Sequence, residues 1–172
     1  GFSYSIYATF FVKHLVRDVG LTTAAAGTIW TRIGLASIIS GFVWGAFSDR
    51  WGRRMALVLI FTCQGSAFLI VGLAQGSGSA MLSGVLFACT AWSIPAVVVA
   101  LCGDAFGMQL APTALGVVTV AFGAGQVFGP VIGGTVADSS ASLAPAFAVA
   151  GAAALVLGAG VSLFLPGRSR QD

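Results

Sequence analysis

The sequence predicts an all-α membrane protein, and three observations carry that prediction. The 172-residue chain is 58% hydrophobic and only 8% charged. Its mean hydropathy is +0.99. A soluble domain carries about 25% charged residues, so this chain has too few charges to cover a surface in water. Long apolar segments also alternate with short polar joints, which is the pattern of helices that span a bilayer.

Six apolar segments are predicted to form a single six-helix bundle over residues 1–172. They cover residues 1–16, 22–47, 55–74, 80–101, 113–137 and 143–165. Joints this short make neighbouring helices antiparallel. The first segment has twelve residues before Lys13, about 18 Å of helix, which is too short for a bilayer of about 30 Å. We therefore expect the first helix to be truncated at residue 1.

The distribution of Lys and Arg between the joints predicts the orientation. With six spans, two cations lie on one side, Lys13 and Arg17. Five lie on the other side: Arg50, Arg53, Arg54, Arg168 and Arg170. Lys and Arg concentrate in cytoplasmic loops. We therefore expect the loop 45–54 and the C-terminal tail 166–172 to be cytoplasmic.

The loop 45–54 reads GAFSDRWGRR and is the most polar stretch between two apolar segments. Gly52 allows a sharp turn where a side chain would clash. Arg53 and Arg54 can neutralise helix carbonyl ends and anionic lipid head groups. Asp49 can pair with Arg50 or with a neighbouring helix end. A purely topological role, in which the three arginines only hold the loop on one side, stays open.

The pattern G-x-x-x-D-R-x-G-R-R closely resembles the signature loop of the major facilitator superfamily. Its fixed positions are filled by Gly45, Asp49, Arg50, Gly52, Arg53 and Arg54. The resemblance implies one half of a twelve-helix secondary transporter in a bacterial inner membrane, with a missing N-terminal six-helix half as its partner. It also implies that this loop is a conformational latch that opens and closes during transport. The charged tail favours the C-terminal half.

A short internal echo predicts a 3+3 inverted repeat. GFVWGAFSD at residues 41–49 ends the second segment, and GPVIGGTVAD at residues 129–138 ends the fifth. In the predicted topology these two stretches lie at opposite ends of the bundle. Inverted repeats of this kind are a common plan of secondary transporters.

Arg32 is the most informative single residue, because it lies about ten residues into the second segment and so near the bilayer centre. A charge at that depth costs at least about 2.5 kcal/mol. No acidic residue lies within one turn of it. An unpaired guanidinium suits an organic anion, above all a carboxylate, and similar carboxylate carriers use an Arg on the matching helix. Pairing with an acid of the missing half and snorkelling both stay open.

Four further side chains are predicted to contact the solute. Gln126 lies in the fifth segment, across from Arg32, and Trp92 lies in the fourth. Tyr4 and Tyr7 lie in the first segment, near mid-membrane if the helix starts before residue 1. Each has a structural alternative: Gln126 can bond a neighbouring helix, and the three aromatic rings can pack in the core.

Four positions are expected to let helices bend: Pro95, Gly129, Pro130 and Gly133. Gln64 is interpreted as a structural residue of the third segment. His14 is the one histidine, beside Lys13. A proton relay and a solvated side chain at the membrane surface are both open for it, and the second is favoured.

Several functional classes are excluded or disfavoured. One His and no Glu rule out most metal sites, and no P-loop pattern is present. No catalytic constellation is visible, so we expect neither an enzyme nor a cofactor. The net charge of +3 reflects membrane topology and not nucleic-acid binding. Two rivals to an anion carrier remain, which are drug or cation efflux and a truncated, non-transporting membrane protein. Protons as the coupling ion stay open.

Overall fold

The computed structural model describes residues 1–74 and 76–165, and every regular element in this part of the chain is helical. The all-α fold class is therefore confirmed. The predicted tail 166–172 lies outside the described residues. The elements are α1 (Phe2–Arg17), α2 (Thr23–Ser37), α3 (Ser40–Trp51), α4 (Arg53–Leu73), α5 (Ser77–Ala88), α6 (Ser93–Asp138), α7 (Ala144–Ala153), a π-helical segment (Ala154–Ala159) and α8 (Gly160–Ser162).

Four helical stretches among the described residues are long and apolar enough to cross a membrane: Thr23–Trp51, Arg53–Leu73, Ser77–Asp138 and Ala144–Ser162. The third has 62 residues, which would extend about 93 Å as one straight helix, three times the hydrocarbon thickness. The predicted count of six spans is reached only if this stretch forms two spans and α1 forms another. That count stays a prediction.

The long stretch reverses direction at Gly107, which has φ 71° and ψ 168° inside α6. Asp104, just before the break, pairs with Arg53 at the start of α4. Leu143, just after α6, instead bonds Asp18 at the far end of α1. The two halves of α6 therefore lead to opposite ends of the bundle. The stretch between the predicted segments 80–101 and 113–137 is therefore not an extended joint, because it is helical on both sides of Gly107 and this single glycine, with positive φ, makes the turn.

Two facing helix breaks interrupt the second and fourth predicted segments. α2 ends at Ser37 and α3 begins at Ser40, while residues 89–92 separate α5 from α6. Trp92 joins the two breaks, because its Nε1 donates to Ser37 Oγ and its backbone N–H to Ser40 Oγ, both over 3.1 Å. Because hydrocarbon contains no water, polar groups freed by a break must be satisfied within the protein.

The positions expected to bend behave differently from one another. Pro95 does not kink a continuous helix, because it lies in the first turn of α6, where proline is tolerated. Around Pro130 the φ/ψ values of α6 remain helical. Gly129 and Gly133 are buried against α1, and a Cβ on Gly129 would lie 2.6 Å from the Phe2 carbonyl oxygen. These glycines allow close approach of two helices.

The main core is an aromatic cluster around Tyr7, which is fully buried. The Tyr7 ring centroid lies 4.6–4.7 Å from those of Phe11, Phe68 and Phe87. The Tyr7 hydroxyl shares a 2.8 Å hydrogen bond with Ser83. His14 is also buried, with 1% of its surface exposed. The expectation of a solvated His14 is therefore wrong, because α1 packs this face inward.

A glycine on α4 allows close contact with the backbone of α7. A Cβ added to Gly72 would lie 2.6 Å from Ala148 N and 3.0 Å from Ala144 O. Both neighbours are backbone atoms, so no side chain can move aside. A hydrocarbon medium provides no hydrophobic force between helices, so this close van der Waals contact stabilises their association.

We predict that Gly72→Ala lowers the free energy of unfolding by about 1–3 kcal/mol, the usual cost of overpacking. The measurement is the midpoint of thermal unfolding of the intact protein in detergent. Gly27→Ala is the matched control, because Gly27 lies within α2 and a Cβ there meets nothing within 4 Å. It should leave the midpoint unchanged or raise it, since alanine favours helix over glycine. Equal midpoints for the two variants would contradict this packing.

Candidate functional site

A cavity of about 630 Å³ opens beside the α5–α6 break. The start of α1 supplies Tyr4, α4 supplies Gln64, and the break supplies Trp92. The second half of α6 supplies Gln126, and the π-helical segment supplies Leu157. Three of the predicted solute contacts, which are Tyr4, Trp92 and Gln126, therefore meet at one cavity, together with Pro95.

The cavity wall is apolar with a few neutral polar groups. Gln64 donates its Nε2 proton to the Thr90 carbonyl over 2.9 Å. The Gln126 side chain has no hydrogen bond to any described residue, and it is exposed. Pro130 has no N–H, so the Gln126 carbonyl also loses its usual donor four residues on. Gln126 thus offers two N–H donors and one acceptor from its side-chain amide, and one further acceptor from its backbone carbonyl.

No acidic, basic or histidine side chain lines the cavity in the described part of the chain. Ionic recognition must therefore come from outside its wall. Tyr4 is half-buried, with its ring centroid 5.7 Å from Phe87 and 6.4 Å from Phe122. Its hydroxyl leaves the aromatic wall polar at one point. This surface suits a small solute with an apolar body and hydrogen-bonding groups.

Arg32 lies outside the cavity, on an exposed face of α2. It forms no hydrogen bond or ion pair with residues 1–74 or 76–165. Ser37 follows it by five residues, about 7.5 Å along the helix, and bonds the cavity residue Trp92. Arg32 is therefore about one and a half helical turns away from the cavity along α2.

Tyr7 is not brought to the cavity. Its buried ring and its bond to Ser83 make it a core residue. Gln64, which is interpreted from the sequence as structural, bonds the α5–α6 break and also lines the cavity. Its central position in the apolar helix α4 indicated that it would contact another helix, since a buried amide requires hydrogen-bond partners.

A second polar cluster forms at the signature loop around Arg53, the first residue of α4. Its Nε donates to Asp104 Oδ2 over 2.8 Å, and its Nη1 donates to Ser48 Oγ over 2.6 Å. Nη1 also pairs with Asp49, one turn earlier in the chain. Gly52 precedes it with φ 93°, a conformation that favours glycine. One guanidinium therefore joins α3, α4 and α6.

The other signature positions lie at the edge of this cluster. Arg50 stacks over the Trp51 ring, with Cζ 5.9 Å from the ring centroid. Arg54 is exposed, and a Cβ on Gly45 would meet nothing within 4 Å. Sequence reasoning missed Asp104 as the partner of Arg53. The predicted topology contained the signal, because it put the second and fourth joints on the same side.

The long apolar helices, the cavity and the paired loop describe an integral membrane protein of the transporter class. The chain matches the model of the family described as "Uncharacterised MFS-type transporter YbfB" over residues 1–163. The chain therefore belongs to this family of the major facilitator superfamily, as its signature loop predicted. This membership confirms that the chain is not an enzyme.

Individual relatives agree with the family assignment. "Solute carrier family 67 member A1" of Homo sapiens is 32% identical over 88% of this chain and 36% of its own length. "Solute carrier family 22 member 18" of Rattus norvegicus is 30% identical, over 79% and 34%. "Multidrug resistance protein MdtG" of Escherichia coli is 29% identical, over 90% and 38%. The chain thus spans about a third of these relatives' length. No solved structure gives a significant match.

We predict that Asp104→Asn loosens the contact between α4 and α6 by about 0.2–1 kcal/mol, the usual value of a partly exposed ion pair. Cys102 is a natural probe, since it is 5% exposed and two residues before Asp104. With Cys63 and Cys89 replaced by Ser, its labelling by a maleimide should accelerate up to about fivefold.

Asp138→Asn is the matched control for this labelling experiment. Asp138 ends the same helix, is exposed, and forms no ion pair among the described residues. Its variant should label Cys102 at the unmodified rate. Equal rates for Asp104→Asn and Asp138→Asn would mean that the Arg53–Asp104 pair does not hold the two helices together.

Proposed function

We propose that the intact protein moves a small solute across the membrane by alternating access, with this chain as its C-terminal half. The observation that carries the proposal is the match to a transporter family over residues 1–163. Because the chain spans about a third of its relatives, we also propose a preceding six-helix half as its partner. The proposed location is a bacterial inner membrane, with the signature loop and the C-terminus cytoplasmic.

The solute that we propose is a small organic anion, with Arg32 as its ionic partner. Arg32 is exposed about a third of the way along the Thr23–Trp51 stretch and has no partner among the described residues. Facing hydrocarbon there would cost about 2.5–3.5 kcal/mol. A water-filled space between two halves of a carrier removes this cost. A carboxylate can accept two parallel hydrogen bonds from the guanidinium.

The cavity is the proposed site for the rest of the solute. Its wall offers the free amide of Gln126 and the hydroxyl of Tyr4 for hydrogen bonds, and Trp92 for apolar contact. Trp92 also bonds Ser37 on the helix that carries Arg32. Movement of α2 against the α5–α6 break would therefore change the distance between the anion-binding group and the cavity wall.

The signature loop 45–54 is the proposed latch of the transport cycle. Of the two ion pairs of Arg53, that with Asp49 lies within one turn of chain, whereas that with Asp104 joins different spans. Only the second must break when α4 and α6 separate. Arg50 and Arg54 keep a topological role in this proposal, because positive charge favours the cytoplasmic side.

Efflux of drugs or cations is the second candidate function. One relative is named a multidrug resistance protein, and the cavity wall is largely apolar. A cationic solute normally requires an intramembrane acid, and none lines the cavity in the described residues. The third possibility is a membrane protein that binds partners and transports nothing. A transport assay separates the three.

We predict saturable uptake of a carboxylate when the intact protein, reconstituted in liposomes, is offered a panel of mono- and dicarboxylates. Hydrogen bonds to a charged group contribute about 1.5–3 kcal/mol, so Arg32→Ala should weaken apparent affinity about tenfold to a hundredfold. Arg32→Lys should lie between, because it keeps the charge and loses the two-pronged geometry. Lys13→Ala is the control, since it removes one exposed cation at the end of α1.

Three outcomes would contradict parts of this proposal. Carboxylate uptake that survives unchanged in Arg32→Ala would end the role of Arg32. Accumulation of a cationic dye driven by the protein, without carboxylate uptake, would favour efflux. Flux equal to that of empty liposomes for every solute would favour the non-transporting protein.

A further inference from the structure

A buried histidine–aspartate pair lies at the end of the bundle opposite the signature loop. His14 is on the last turn of α1, and Asp18 is the residue that caps this helix. His14 Nδ1 is 2.8 Å from Asp18 Oδ2. Only 1% of the His14 surface is exposed. This pair is far from the cavity wall and has no part in the anion site.

Asp18 joins α1 to the short joint between α6 and α7. Its Oδ2 accepts hydrogen bonds from the Leu143 backbone N–H over 3.0 Å and from Ser142 Oγ over 3.1 Å. Arg17 Nε lies 3.9 Å from Oδ1, and its Nη2 donates to the Ala141 carbonyl over 3.0 Å. Burial alone would raise the pKa of Asp18. The bonds from Leu143, His14 and Ser142 outweigh burial and lower that pKa.

The second nitrogen of His14 lacks a partner. Nε2 is buried and has no hydrogen bond to any described residue. The Phe147 ring covers the imidazole edge-on, with centroids 5.4 Å apart. Because the ionised Asp18 only accepts hydrogen bonds, Nδ1 carries the proton in the neutral ring. Nε2 is then an unprotonated base in a buried position.

We propose that His14 Nε2 binds an exchangeable proton, with Asp18 as its counter-ion. The proton comes from water and adds to the Nε2 lone pair, so the charge of the pair changes from −1 to 0. Without the proton, Leu143 and Ser142 still satisfy the carboxylate. With it, imidazolium and carboxylate neutralise each other. Both states are stabilised, as reversible proton binding requires.

Among the described residues, Arg17 is the charged side chain that contacts the His14–Asp18 pair. Helices α2, α6 and α7 pack against α1, and α4 and α5 contact it at the Tyr7 ring. On α4, Arg53 and Arg54 form no bond or ion pair with His14 or Asp18, and α5 contains no titratable side chain. In the described part of the chain, His14 and Asp18 form no bond or ion pair with Arg32 on α2 or with Asp104 and Asp138 on α6. Helix α7 contains no titratable side chain. On α1 itself, Lys13 is exposed.

Burial controls when this proton can exchange. In the conformation described, Nε2 is enclosed by α1 and α7, so water reaches it only if α1 separates from the α6–α7 joint. The contacts that would break are those of Asp18 and Arg17 to residues 141–143. Use of this proton to drive transport rests on the function proposed above, whereas binding of the proton does not.

Deuterium exchange at the imidazole C2 carbon, read by mass spectrometry on the peptide that contains His14, tests the proposal. It is measured on the intact protein in detergent, without solute, from pH 5 to 9. We expect a sigmoidal pH profile with a slow maximal rate, because Nε2 is occluded. A rate independent of pH would overturn the proposal, since it would mean that the His14 ring gains no proton between pH 5 and pH 9.

Asp18→Asn tests the counter-ion. An asparagine cannot neutralise the imidazolium, and an opposite charge in contact favours the charged form, so the midpoint of the exchange profile should move to lower pH in this variant. Asp138→Asn is the control and should leave the midpoint unchanged. An unshifted midpoint in Asp18→Asn would overturn the role of Asp18. Should Asp18→Asn not fold, the wild-type profile alone decides whether His14 titrates. Neither result depends on solute uptake. Failure of the proton-binding proposal can therefore be distinguished from failure of the anion-carrier proposal.

Discussion

The absence of water in a hydrocarbon interior is the constraint on which the rest of this structure depends. Every peptide group there must find its hydrogen-bond partner within the protein, so the described chain is helical wherever it is apolar. The constraint is most visible where helices break. Trp44 Nε1 donates to the Cys89 carbonyl and Gln64 Nε2 to the Thr90 carbonyl, while Trp92 bonds the serines of the facing break. Side chains replace water at these breaks, and the cavity forms beside them.

The same constraint explains where paired charged residues lie in the described part of the bundle. Asp104 and Arg53 meet at one end of the bundle, and Asp18 is bound by the α6–α7 joint at the other end. Each of these three groups has a partner that offsets the cost of desolvation. Arg32 differs from them, because it lies within a long apolar stretch and has no partner among the described residues. The two clusters at the ends of the bundle therefore join helices, whereas Arg32 joins none among the described residues. Because Arg53 and Asp18 lie at opposite ends of the bundle, breaking one cluster need not break the other.

Much of this arrangement could be predicted from the sequence, and the failures have physical causes. Segment length and hydropathy predicted α4 within two residues, and the signature loop predicted the family. The turn between the fourth and fifth segments was predicted, but its confinement to Gly107 was not, because the flanking residues, with an Asp and a Pro among them, resemble a loop although they are helical. The burial of Tyr7 and His14 could not be predicted, because hydropathy does not say which face of α1 is buried. The roles of Asp104 and Gln64 come from contacts between helices that are distant in sequence. The periodicity of a single segment does not predict such contacts. Tyr4, Trp92 and Gln126 share a cavity because the paired breaks and α1 meet there.

Whether these helices cross a bilayer is tested most directly by cysteine accessibility at Arg54, in the first turn of α4, and at Ser77, which begins α5 just beyond the other end of α4. Single cysteines at Ser77 and at Arg54, both exposed, would be introduced into the intact protein with its native cysteines removed. An impermeant maleimide added to whole cells should label the cysteine at Ser77 and should reach that at Arg54 only after the membrane is permeabilised. Labelling of both positions from the same side of the membrane would contradict the crossing and the account built on it.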